Sequence, residues 1–149
     1  MGYTFQGFIG EPEVLEAAAA RFQHVKLIPL TESLSTIPLG EELEQEINQG
    51  ESQLLELWDI LTDRIEAVGL GLSQYGRLAY VEADYFGGTG DQGCVVWEKG
   101  QELLREVRAD KAINHALKLL GVQTVEGFVD EFDTVDMGRH RRVESWFTK

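Results

Sequence analysis

The chain has 149 residues, 43% hydrophobic and 26% charged, with 13 basic against 26 acidic side chains and a formal net charge of −13. That length suits one domain with a core of its own, and the composition excludes a disordered or linker-like chain. Its lone cysteine, Cys94, excludes an internal disulfide, and the start MGYTFQGFIG has neither the basic nor the apolar region of a secretory signal. No apolar run approaches the about 18 residues that mark a spanning helix, so the expectation is a cytoplasmic protein without membrane attachment.

Tyr3 to Ile9 is aromatic and β-branched and predicts an opening strand. Pro12 between Glu11 and Glu13 marks a helix start, and Val14, Ala18 and Phe22, with Leu15 and Ala19, make one apolar stripe. Val25 to Leu30 reads as a short second strand, and the Ser, Thr and Pro of Thr31 to Pro38 as a connecting loop. Leu43 and Ile47, then Leu54, Trp58, Leu61, Ile65 and Val68 beyond Gly50, predict a pair of amphipathic helices ended by Gly69 and Gly71.

Leu78 to Phe86 is the clearest strand: alternation sets Ala79, Val81, Ala83 and Tyr85 on one face and Tyr80, Glu82 and Asp84 on the other. Gly87 to Gly93 then reads as a long glycine loop, and Cys94 to Trp97 as the returning strand of a hairpin. Residues 101 to 107 suit either a strand or a helix, since Leu103, Leu104 and Val107 fit both, and a strand is the expectation. Asp110 is positioned as the N-cap of a helix carrying Ile113, Ala116, Leu117 and Leu120, with Gly121 at C′. The remainder reads as an ordered, irregular tail anchored by aromatics such as Phe128, Phe132, Trp146 and Phe147. The fold class is a single α+β domain over residues 1–149, a small and mainly antiparallel sheet with about three helices packed against it.

Charge divides unevenly. Residues 1–76 hold 13 acids and 3 bases, a net of −10, whereas the rest is nearly balanced at −3. Nine of the acids lie between Glu41 and Glu66 with Arg64 as the one base among them. Such a surface repels phosphate backbones and attracts basic partners, although it also reads as the solvated side of a helix. The leading functional expectation is therefore a non-catalytic protein-binding module, an inhibitor or immunity-type protein for a basic partner. Its candidate contact residues are Glu41, Glu42, Glu44 and Glu46, with Asp91 and Gln92 in the glycine loop. The basic cluster Arg139 to Arg142 follows Asp130, Glu131, Asp133 and Asp136, which neutralise it and argue against nucleic-acid binding.

Residues Gly88 to Gly93 match G-x-G-x-x-G, but the apolar Cys94-Val95-Val96-Trp97 that follows favours a strand, and the nucleotide fingerprint needs a helix there. No cofactor is expected. Neither is a metal, because His24, His115 and His140 lack the spacing of zinc ligands. Cys94, at the head of an apolar strand, reads as a buried and inert thiol. The alternative to a binding module is a small-ligand or hydrolytic enzyme at the glycine loop. It would use Glu82 and Asp84 from one strand face, Asp91, and Arg139 or His140 from the tail. The sequence gives no oligomeric state.

Two phrases, Tyr85 to Gln92 and Asp130 to Asp133 followed by Gly138 to Arg141, resemble stretches in small uncharacterised bacterial proteins. The resemblance implies no activity. Small acidic bacterial domains of this kind are sometimes toxin-neutralising immunity proteins, which is an analogy of class and not of motif.

Overall fold

The computed structural model describes residues 2–31, 33–86, 89–124 and 126–147. In chain order the strands are β1 Tyr3–Gly10, β2 Ile28–Pro29, β3 Ser35–Pro38, β4 Leu78–Phe86, β5 Thr89–Glu98 and β6 Gln101–Ala109. The helices are α1 Pro12–Arg21, α2 Glu41–Ile47, α3 Asp63–Leu72, α4 Ala112–Leu119 and the one-turn α5 Glu131–Thr134, supplemented by 3-10 turns at Ser73–Tyr75, Met137–Arg139 and Val143–Phe147. All strands join one antiparallel sheet in the order β2-β3-β1-β4-β5-β6. The fold is α+β, with more helices than the sequence predicted.

Both faces of the sheet are covered. Phe8, Leu78, Tyr80, Val95 and Trp97 point to one face and pack under α1, α2 and α3. Phe5, Ile9, Ala79, Val81, Ala83, Cys94 and Val96 point to the other, under α4 and the tail residues Val135, Met137 and Trp146. This double cover explains why β4 is buried without a break from Leu78 through Glu82 to Ala83, whereas a one-sided sheet would alternate. Among the described residues, no helix is long and apolar enough to cross a membrane.

Several local expectations are corrected. Ser35–Pro38 is a buried strand and not a loop; it pairs with β1 from Gly7↔Pro38 to Gly10↔Ser35, and the Thr36 hydroxyl donates to the Phe8 carbonyl at 2.8 Å. Its Ser, Thr and Pro suggested a turn, yet a β-branched residue whose hydroxyl finds a carbonyl fits a pleated interior. The predicted strand at Val25 to Leu30 shrinks to Ile28–Pro29. The helical pair is split: residues 48–62 are irregular, held by an isolated bridge between Leu54 and Thr62. There Trp58 and Leu61 are buried but Leu54 is 52% exposed, so the four-residue spacing came from a loop folding back. Gly69 and Gly71 lie inside α3 rather than ending it.

The glycine loop is mostly strand. β5 begins at Thr89, and its register with β4 runs from Phe86↔Thr89 through Asp84↔Asp91 to Leu78↔Trp97. Gly87 and Gly88 lie outside the described residues. Gly90 and Gly93 mark close approaches: a Cβ on Gly90 would sit 2.0 Å from the Asp84 carbonyl oxygen, and one on Gly93 2.5 Å from the Trp58 ring. Asp110 does not cap α4. Gln92 does so from β5, accepting the Ile113 N–H on its side-chain oxygen at 2.9 Å. Gly121 closes that helix at φ +96°, with Val122 N–H donating to Leu117 and Gly121 N–H to Lys118, the paired bonds of a Schellman motif.

Candidate functional site

At the end of the sheet where β4 and β5 run beyond α3, a cleft of about 270 Å³ opens on the α1–α3 face. Antiparallel register builds its floor. Thr4, Asp84 and Asp91 form one cross-strand row, and Gln6, Glu82 and Gly93 the next. Over this floor arch Leu57, Asp59 and Ile60 from the irregular segment and Val143 and Glu144 from the tail.

Glu82 organises the wall. Its carboxylate accepts from the backbone N–H groups of Asp59 at 2.8 Å, Ile60 at 3.3 Å and Leu61 at 3.1 Å, and from the Tyr80 hydroxyl at 2.7 Å. Burial pushes the Glu82 carboxyl pKa up, against the lowering effect of the Tyr80, Asp59 and Leu61 donors. Trp58, between Leu57 and the clamped residues, packs its six-membered ring against Gly93, where any side chain would collide with it. Beside them Leu57 takes φ +75°, a conformation uncommon for a bulky residue, and its side chain is 55% exposed at the lip.

A β-bulge supplies the cation. Gln92 pairs with Ala109 and Cys94 with Glu106, so Gly93 alone faces two residues of β6, Val107 and Arg108. Arg108 takes φ +53° there and turns its guanidinium to 3.8 Å from the Asp91 carboxylate. From the other side comes Arg142. Its side chain, like that of Asp84, forms no hydrogen bond or ion pair with any described residue, although both line the cleft. Thr4 N–H donates to the Arg141 carbonyl at 2.7 Å, which ties the tail to β1 and fixes where Arg142 emerges.

The structure thus brings Glu82, Asp84 and Asp91 into one cleft but does not bring Arg139 or His140 there. Arg139 is stacked on the Trp146 ring at 5.2 Å and donates to the Pro29 carbonyl, while the His140 and Trp146 rings pack edge to face with centroids 5.0 Å apart. The arginines that line the cleft are Arg108 and Arg142. Arg108 carries no signal in the sequence because the bulge that aims it is a register property, and Arg142 is legible there only as one member of a basic cluster. Gln92, on the opposite face from Asp91, serves α4 as described above.

The acidic stretch is not one free surface. Glu46 accepts from the Gln23 and His24 backbone N–H groups at 2.6 and 2.9 Å and lies 3.1 Å from the His24 ring, which together hold its pKa down. Glu42 reaches the other His24 ring nitrogen at 3.4 Å, Glu66 binds Arg105, and Asp63 accepts from Gln53 N–H. Glu44 is partly buried, and that burial, then Glu41, raises its pKa. Glu41 and Glu42 remain exposed.

Among the described residues no three His, Cys, Asp or Glu side chains are placed to hold a metal ion. Cys94 is buried, and desolvation followed by Glu106 pushes its thiol pKa up to about 12. Native protein should therefore leave Ellman's reagent essentially unreacted at pH 8, with one equivalent released only in denaturant; rapid native labelling would place the thiol at the surface.

No family model matches the chain, and no curated protein or solved structure matches it either.

Proposed function

We propose that the protein binds a small zwitterionic ligand, of the size and charge pattern of an amino acid, in the cleft over Asp84 and Asp91. The observation that carries this reading is the cross-strand pair itself. Two carboxylates directly opposite each other on a sheet repel, and Arg108 reaches only one of them, at 3.8 Å. A ligand ammonium between them would relieve that repulsion, and the unpartnered Arg142 is available to a ligand carboxylate. Leu57, Ile60, Val107 and Val143 supply apolar walls, and the volume suits a molecule smaller than the usual drug-sized ligand.

The reading is binding rather than acid–base chemistry. Glu82 is the shielded carboxylate of the cleft, and its oxygens are already occupied by four donors. Calorimetric titration with amino acids, their amides and simple amines tests the assignment. Asp84→Asn or Asp91→Asn should weaken the best ligand by about tenfold or more, and Arg142→Gln should weaken zwitterions but not the matching amines. Equal affinity in all three variants would overturn it.

A second reading, a basic protein partner at the acidic helix, retains support from Glu41 and Glu42. They rim a groove of about 410 Å³ shared with Val25 and the exposed ring of Phe147. Association with a lysine-rich peptide that is lost in Glu41→Gln/Glu42→Gln would favour it.

A further inference from the structure

A second cleft, of about 500 Å³, lies on the opposite face of the same sheet end, between the start of α4 and the tail. Its walls are aromatic. Tyr3 and Phe132 pack edge to face at 5.5 Å, and Tyr85 borders the same space. The Tyr3 hydroxyl is committed to the Met137 carbonyl at 3.0 Å, so that ring presents its apolar body and not its polar tip.

Cations are scarce in this chain and mostly engaged. Arg21 stacks on Phe22, and Lys26, Arg64, Arg77, Lys99, Arg105, Arg108 and Arg139 each meet a carbonyl or carboxylate. The side chains of Lys111, Lys118, Arg141 and Arg142 have no partner among the described residues, and of these Lys111 and Arg141 line this cleft. They come from distant parts of the chain. Lys111 immediately precedes α4, and Arg141 is fixed by its backbone bond to Thr4. Of the two acids nearby, Asp130 is occupied: one oxygen accepts Asp133 N–H as the cap of α5, and the other accepts from the Asn114 amide at 3.1 Å. Asp110 remains as a counter-charge at the rim. The Tyr85 hydroxyl is protonated at neutral pH like any tyrosine, and burial raises its pKa further, partly opposed by the Gln92 side chain. It is therefore a donor.

We infer that this cleft binds an aryl carboxylate, the ring held between Tyr3, Tyr85 and Phe132 and the carboxylate held by Lys111 and Arg141. Two unpartnered cations beside three aromatic rings match the two ends of such a molecule, and neither end alone accounts for both features. The site is separate from the cleft over Asp84 and Asp91, so either can fail without the other.

The test is a titration of the full chain, followed through backbone amide resonances, with benzoate, benzamide, acetate and phenyl phosphate. Benzoate should shift Lys111, Ile113 and Asn114, with benzamide and acetate each weaker by about tenfold or more. Lys111→Gln and Arg141→Gln should each weaken benzoate by about fivefold to tenfold, while Lys118→Gln, an equal loss of charge at the far end of α4, should leave it unchanged. Unaltered Trp97 resonances would establish that each variant is folded. No shifts with benzoate, equal binding of benzamide, equal weakening by Lys118→Gln, or a tenfold preference for phenyl phosphate would each overturn the assignment.

Discussion

Replacing Glu82 with alanine will destabilise the protein by about 2–4 kcal/mol and release the segment that walls the first cleft. The carboxylate is the acceptor for the Leu61 N–H and the Tyr80 hydroxyl, both fully buried, and for the Asp59 and Ile60 N–H groups nearer solvent. Losing it leaves two buried donors unsatisfied at about 1–3 kcal/mol each, whereas cleft water can reach the outer pair. Glu82→Gln keeps the shape but turns an amide N–H₂ toward donors, and should cost about 1–3 kcal/mol. Urea denaturation measures both, and a loss below about 0.5 kcal/mol for the alanine variant would contradict the clamp. The pH dependence has a definite sign. Burial raises the folded-state pKa of Glu82 above its ordinary 4.5, so its contribution is full below that value and declines as pH rises through the folded pKa. Glu82→Gln carries no such proton, and the stability gap between wild type and variant should narrow over that window.

Gly69→Ala will be comparably harmful, although alanine is the better helix former by about 1 kcal/mol. A Cβ at position 69 would lie 2.2 Å from the Trp97 ring, which is itself 1% exposed and cannot retreat without opening the core under α3. Overpacking of this kind costs about 1–3 kcal/mol and occasionally more. Gly71, two residues along the same helix, provides the control: nothing lies within 4 Å of its added Cβ, so Gly71→Ala should stabilise by up to about 1 kcal/mol. Thermal unfolding of the two variants should therefore move in opposite directions. If both rise, α3 does not sit on Trp97.

The same glycine explains what was legible in the sequence. Gly69 and Gly71 looked like a helix end because a residue without Cβ accepts the left-handed conformation, yet here Gly69 serves a ring contributed by β5, a partner that no local pattern names. Gly90 and Gly93 suggest a loop for the same reason but are strand residues facing the Asp84 carbonyl and Trp58. Alternation placed β4 and both of its faces, since a period of two depends only on neighbours. It also put Glu82 and Asp84 on one side, where they are found beside Asp91. Arg108 could not be read this way, because its direction is set by a one-residue mismatch between β5 and β6. Residues 54–61 misled for a related reason: Trp58 and Leu61 are buried by a fold-back that Glu82 holds from 21 to 23 positions away.

The separation of charge is what most constrains function. The acidic first half spends Glu46, Asp63 and Glu66 on its own chain, while Asp84 and Arg142, both from the nearly balanced second half, stand unpartnered in one cleft whose walls come from both halves. Amide-resolved titration with a neutral amino acid and, separately, with a lysine-rich peptide decides between these surfaces. The cleft reading predicts that the amino acid shifts Asp59, Ile60, Gln92, Gly93 and Val143, with the Glu41–Ile47 helix unmoved. Shifts confined to that helix on adding the peptide, with no response of the cleft to any zwitterion, would contradict it.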